Sequence, residues 1–154
     1  MKEIIIYHGS ENIIETPEYG KGKPYNDYGR GFYCTEYIDL AKEWACDEKH
    51  GGYANKYSLN LDGLKVLNLN GNDFCILHWL SVLLKNRKFT LDNDIGKTAK
   101  EYILKNFPVD TTGIDVIKGY RADDSYFSYA RDFLHGIHRL RYILFPSIWL
   151  FFHR

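Results

Sequence analysis

The sequence predicts an α+β domain, and three observations carry that prediction. Strand-like stretches come in pairs with helical periodicity between the pairs. Asp62-Gly63 sits between two runs that alternate apolar and polar residues. Gly29 and Gly31 lead into a strand rather than opening a helix. The first two favour antiparallel pairing over a doubly wound parallel sheet. The third disfavours a Rossmann-type dinucleotide fold, whose glycine fingerprint follows a strand and opens a helix.

In chain order, Glu3 to Tyr7 reads as a strand, Asn12 to Tyr28 as a polar loop rich in Pro, Gly and Tyr, and Gly31 to Thr35 as a second strand. From Leu40 to Glu48, Leu40, Ala41, Trp44 and Ala45 recur at helical spacing, with Asp39 as the expected N-cap and Gly51-Gly52 as the stop. YSLNLDGLKVLNL predicts a hairpin turning at Asp62-Gly63. Asp73 is expected to cap a helix carrying Phe74, Leu77, Leu80, Leu83 and Leu84, within which His78 reads as structural. Thr98 to Phe107 predicts another helix, stopped by Pro108. DVIKGY reads as a strand, and Asp123 or Asp124 is expected to cap a helix with Phe127, Ala130, Phe133 and Leu134 on one face.

At 154 residues the length suits one domain with a real core. The 45% hydrophobic and 16% aromatic fractions are those of a globular chain rather than a disordered one. A formal net charge of +0 gives no bulk argument for a nucleic-acid partner, although it leaves room for a local basic patch. Cys34, Cys46 and Cys75 are odd in number and lack CxxC spacing, which fits reduced thiols in a cytoplasm better than a disulfide framework or a zinc site. The apolar stretch in MKEIIIYHGS is too short for a signal peptide. No apolar run approaches the roughly 18 residues that span a bilayer. A soluble, cytoplasmic protein without a membrane partner is expected.

Two segments carry candidate chemistry. YHGS places His8 at a strand end beside Gly9, where backbone groups can pair with a planar amide and the imidazole can reach a hydroxyl. GRGFY places Tyr33 on the next strand, and Trp44 follows on the helix, so two aromatic faces could converge on a flat ring. His135, His138 and His153 show no metal-ligand pattern.

This combination resembles the ADP-ribosyltransferase superfamily, in its His-Tyr-Glu branch: YHGS matches the first-strand motif, and GRGFYCT followed by a helix with an aromatic matches the second. NDYGRGFYCTEYIDLAKEWA and GYRADDSYF look more narrowly like a family of small uncharacterised bacterial proteins assigned to that superfamily. The resemblance covers Met1 to about Leu134 and implies split antiparallel sheets with flanking helices, and NAD as the substrate. It implies that His8 binds a ribose hydroxyl, Gly9 clamps the nicotinamide amide through its backbone, and Tyr33 stacks on the nicotinamide ring with Trp44 closing the other side. Gly31 belongs to the same glycine loop, and Ser10 and Thr35 are lesser lining candidates. Tyr33 and His8 would be the catalytic pair, and no metal is implied.

The superfamily also places a carboxylate on a late strand. Here no Asp, Glu or Gln follows Asp132, and the composition shifts to Arg, His, Ile, Leu, Phe and Trp. Residues 1–134 are therefore read as the domain and 135–154 as a tail, either a divergent last strand or a C-terminus altered by truncation or frameshift. Asp123 and Asp124 are the nearest substitutes for the missing acid.

The expected function is that of an ADP-ribosyltransferase-like protein cleaving the nicotinamide–ribose bond, as an enzyme passing ADP-ribose to an acceptor or to water. The resemblance extends to a bacterial toxin with an antitoxin or target protein as partner. The alternative is a catalytically inactive NAD-binding or protein-interaction module of the same fold. A third reading, an RNA 2′-phosphotransferase-like member, would need a basic surround for phosphates, and only Lys21, Lys23 and Arg30 are near in sequence.

Overall fold

A computed structural model describes residues 3–46, 49–91, 93–120, 130, 132–134 and 149–152. Six strands, β1 (Glu3–Ser10), β2 (Phe32–Thr35), β3 (Tyr53–Asn60), β4 (Val66–Asn68), β5 (Val116–Gly119) and β6 (Trp149–Phe152), form one mixed sheet in the order β3-β1-β2-β6-β5-β4. Among the described residues three bounded helices accompany them: α1 (Ile38–Ala45), α2 (Ile76–Asn86) and α3 (Asp94–Asn106). The class is α+β, as the strand pairing in the sequence indicates.

The sheet is nearly divided in two. β1 and β3 pair antiparallel along their full length, from Glu3↔Asn60 to Ser10↔Tyr53, and β2, β6 and β5 form an antiparallel set of four-residue ladders. Between these parts, β1 meets β2 at the single register pair Tyr7↔Thr35. The stretch WLFF, assigned from composition to a divergent tail, has its backbone in the middle of the sheet between β2 and β5.

Side chains alternate across a strand, so β2 and β5 each serve two apolar clusters. Phe32, Cys34 and Val116 pack with Ile6 on one face. Tyr33 and Ile117 belong to the larger cluster built around α2. That helix is buried at every position from Trp79 to Leu84, which makes it the central helix rather than a surface one.

Several local expectations change. The turn at Asp62-Gly63 forms, with Gly63 at φ +81° and the Leu64 N–H donating to the Leu61 carbonyl at 3.1 Å. The hairpin does not, because β3 and β4 lie at opposite edges and β4 pairs parallel with β5. Long-range capture decides this. The amides of Asp115 and Val116 both donate to the Lys65 carbonyl, and Leu67 and Leu69 join the α2 cluster while Leu59, Leu61 and Leu64 join the other.

Helix starts shift as well. α1 begins at Ile38 behind Tyr37, whose amide is held by Thr35 Oγ1 at 3.1 Å, so Asp39 sits in the first turn, paired with Lys42, rather than at the cap. α2 is capped by Cys75 instead of Asp73: the Cys75 amide donates to Nδ1 of His78 at 3.0 Å, which gives His78 its structural role. α3 starts about a turn early, at Asp94, because the Asn93 side chain accepts from the Gly96 amide at 2.7 Å. Asp123, Asp124, Phe127, His135, His138 and His153 lie outside the described residues. Ala130 and Leu134 are helical and fully buried.

Candidate functional site

A cleft of 770 Å³ opens where β1 and β2 part. His8, Gly9, Gly31, Phe32, Tyr33 and Trp44 line it, together with the polar segment from Ile13 to Gly22, Asn26, Asp27 and Arg87. Five of the seven positions singled out from sequence are thus brought together. The other two lie outside the lining: Thr35 is fully buried and holds the start of α1, and the Ser10 hydroxyl donates to the Asn12 carbonyl at 2.7 Å.

The parting of the strands has a visible cause. One residue beyond the last β1–β2 pair, the His8 imidazole takes the place of a backbone partner, its Nδ1 lying 2.6 Å from the Tyr33 carbonyl. A carbonyl only accepts, so Nδ1 carries the hydrogen and Nε2 of the neutral ring is left as an acceptor. Burial lowers the His8 pKa, outweighing the opposing bond to Tyr33, which favours that neutral form. The ring also packs against Phe32 at a centroid distance of 4.4 Å.

Gly9 is required by packing. A Cβ built there would lie 2.1 Å from the Ala41 carbonyl oxygen and 2.9 Å from Cβ of Trp44. The missing side chain lets α1 dock directly on β1, which sets Trp44 beside the open edge of the strand.

The opposite wall is the loop NDYGRG. Gly29 adopts φ +84°, and its carbonyl accepts from the Tyr33 hydroxyl at 2.7 Å while the Tyr28 amide donates to that same hydroxyl at 3.1 Å. The loop is fastened to the end of α2: Asn86 donates to the Asp27 carbonyl at 3.3 Å, and Arg87 Nε lies 2.6 Å from Asp27 Oδ1. Behind it the Tyr28 hydroxyl donates to the Tyr120 carbonyl. Tyr33 therefore presents a fixed ring rather than a titrating phenol, and burial pushes its pKa far up.

Sequence reading missed Asp27, Asn86, Arg87 and the strap around Ile14. Asp27 had a signal: a charged residue directly ahead of an aromatic glycine motif. The α2 residues had none, because they meet the loop only through tertiary contact. Ile14 is clamped across β3, its amide donating to Asn55 Oδ1 at 2.8 Å and its carbonyl accepting from the Tyr57 hydroxyl at 2.5 Å.

Among the described residues no group of three or more His, Cys, Asp or Glu could hold a metal ion, and no helix is long and apolar enough to cross a membrane. Fold and cleft define an α+β protein with a site at the division of its sheet. The chain belongs to the family described as protein of unknown function (DUF3990), whose model matches residues 4–144. No curated protein and no solved structure matches it.

Proposed function

We propose that the protein is an ADP-ribosyltransferase-like enzyme that uses NAD as its substrate. One observation carries the reading: His8, Gly9, Tyr33 and Trp44, drawn from three separate elements, line a single cleft where β1 parts from β2. The cleft volume falls within the roughly 300–1,000 Å³ typical of small-molecule sites.

In this reading the planar nicotinamide lies on the Tyr33 ring with Trp44 opposite. Gly9, on the edge of β1 that lacks a backbone partner beyond Tyr7 among the described residues, offers main-chain groups to the amide. The unprotonated Nε2 of His8 accepts from a ribose hydroxyl. Nicotinamide leaves as a neutral molecule from a pyridinium, so the reaction needs little acid catalysis, and positioning and electrostatics supply most of the rate. The acceptor would be a target protein or water. A role as a bacterial toxin with an antitoxin partner, and work in a cytoplasm, would follow from the same resemblance.

Calorimetric titration with NAD tests the reading, with Tyr33→Ala and Trp44→Ala alongside. Micromolar to sub-millimolar binding by the parent chain, lost in both variants, is expected. Absence of heat up to millimolar NAD would sink it.

A further inference from the structure

Most of the strap that walls the cleft is exposed. From Glu11 to Tyr19, Ile14 is the one residue that is not, and beyond it Glu15, Thr16, Glu18, Lys21 and Gly22 face the cleft. We propose that Asn55 and Tyr57 of β3 are positioning residues for the nucleotide. Neither lines the cleft, and together they fix the strap and His8 relative to one another. The inference rests on the NAD reading above.

Ile14 is held through both of its backbone groups. Its amide donates to Asn55 Oδ1 at 2.8 Å, and its carbonyl accepts from the Tyr57 hydroxyl at 2.5 Å. A backbone amide only donates, so Oδ1 is the atom that faces Ile14 and the carboxamide nitrogen of Asn55 is left for other partners. That nitrogen donates to the His8 carbonyl at 3.1 Å and to the Ser10 hydroxyl at 2.8 Å. Ser10 in turn donates to the Asn12 carbonyl at 2.7 Å. One buried side chain thus ties β1 at His8 to the strap at Asn12 and Ile14.

Tyr57 makes the same connection by packing. Its ring meets Phe32 edge-on at a centroid distance of 5.7 Å, and Phe32 packs on the His8 ring at 4.4 Å. Strap and imidazole therefore share two supports on one strand, one polar and one aromatic.

A nucleotide bound in the cleft meets His8 and the strap together. Its apparent affinity falls with the fraction of molecules in which both are already in place. Two hydrogen bonds to Ile14 hold that arrangement before a ligand arrives, so ordering the strap adds little to the cost of binding. Loss of either bond moves part of the population to strap positions that do not meet the ligand, and affinity drops although no group in the cleft has changed.

The test uses the full chain and Tyr57→Phe, which keeps the ring against Phe32 and removes only the hydroxyl. Tyr53→Phe, the same change two residues earlier on β3 at a hydroxyl that is not a partner of Ile14, is the control. Two quantities are read: the NAD Kd by calorimetry, and the rate of tryptic cleavage after Lys21 in the exposed part of the strap. Tyr57→Phe is expected to raise Kd about fivefold, the weight of one hydrogen bond, and to speed cleavage at Lys21, with saturating NAD slowing it again. Asn55→Ala, which loosens His8 and the strap at once, is expected to raise Kd by about tenfold or more. Should that variant fail to fold, Tyr57→Phe decides alone. A merely structural role would lower the urea midpoint and leave Kd and cleavage at Lys21 as in the parent chain, and that result overturns the assignment. A raised Kd without faster cleavage, or an equal rise in Tyr53→Phe, overturns it too. A parent chain that binds no NAD overturns the NAD reading and this inference with it, whereas equal binding by parent and Tyr57→Phe overturns this inference alone.

Discussion

The two walls of the cleft are built on different physics. On the β1 side, position is set by exclusion: Gly9 meets Ala41 and Trp44, and a Cβ at Gly52 would lie 2.0 Å from the Ala45 carbonyl oxygen, so α1 and β1 approach as closely as backbone allows. On the β2 side, position is set by polar fastening: Asp27 to Arg87, Asn86 to the Asp27 carbonyl, Tyr33 to Gly29, and Tyr28 to Tyr120. The first wall should fail when volume is added and ignore small changes in charge. The second should respond to the loss of a partner.

The largest effect is expected at the first wall. Gly9→Ala forces a Cβ into the Ala41 carbonyl and should cost about 3 kcal/mol or more, at the upper end of overpacking penalties. Gly51→Ala, where nothing lies within 4 Å, should stay within about 0.5 kcal/mol of the parent chain. Urea unfolding of both variants measures the contrast, and equal midpoints would remove steric approach as the basis of that wall. At the second wall, Arg87→Ala leaves the nearly buried Asp27 carboxylate without its guanidinium and should cost about 2 kcal/mol, discounted from a fully buried pair because Arg87 is 21% exposed. Arg87→Lys should recover only part of that, since a point charge cannot reproduce contact through Nε.

The same contrast explains what was legible in the sequence. Gly9, Gly29, Gly31, Tyr33 and Trp44 announce themselves because tight backbone and aromatic residues cluster locally, and the cleft forms where they meet. The β3–β4 connection was misread because Asp62-Gly63 makes the turn that hairpins use, while the pairing beyond it depends on Asp115 and Val116, some fifty residues away. Asn86 and Arg87 were invisible for a related reason: they end the buried central helix, and only folding brings them to the NDYGRG loop. The caps at Tyr37 and Cys75 escaped because each depends on a partner that propensity does not weigh, the Thr35 hydroxyl and the His78 ring, whereas Asn93 is a preferred cap residue that the reading passed over.

Smaller changes separate fastening from packing within the second wall. Tyr33→Phe keeps the ring and removes the hydroxyl that the Tyr28 amide and the Gly29 carbonyl share, so a loss of about 1 kcal/mol is expected. The loss should be local, with faster hydrogen exchange at the Tyr28 amide and little change in α2. Slowed or unchanged exchange there would mean that the loop is held by Asp27 and Asn86 without help from Tyr33.

The smallest effect lies at the seam between the walls and has a definite sign. Burial lowers the His8 pKa below its ordinary 6.5, so between the folded value and 6.5 the unfolded chain binds the extra proton. Stability therefore rises with pH through that window. It is undiminished above 6.5 and declines as pH falls toward the folded value, because protonation then favours the chain in which the ring is solvated. Protonation leaves the Nδ1–H bond to the Tyr33 carbonyl in place, so the penalty comes from desolvating the charge and not from opening the seam. Urea midpoints from pH 7.5 down to 5.5 should show this slope in the parent chain, reduced in His8→Gln. An undiminished slope in that variant would assign the titration to another group and leave His8 as a neutral spacer between two strands.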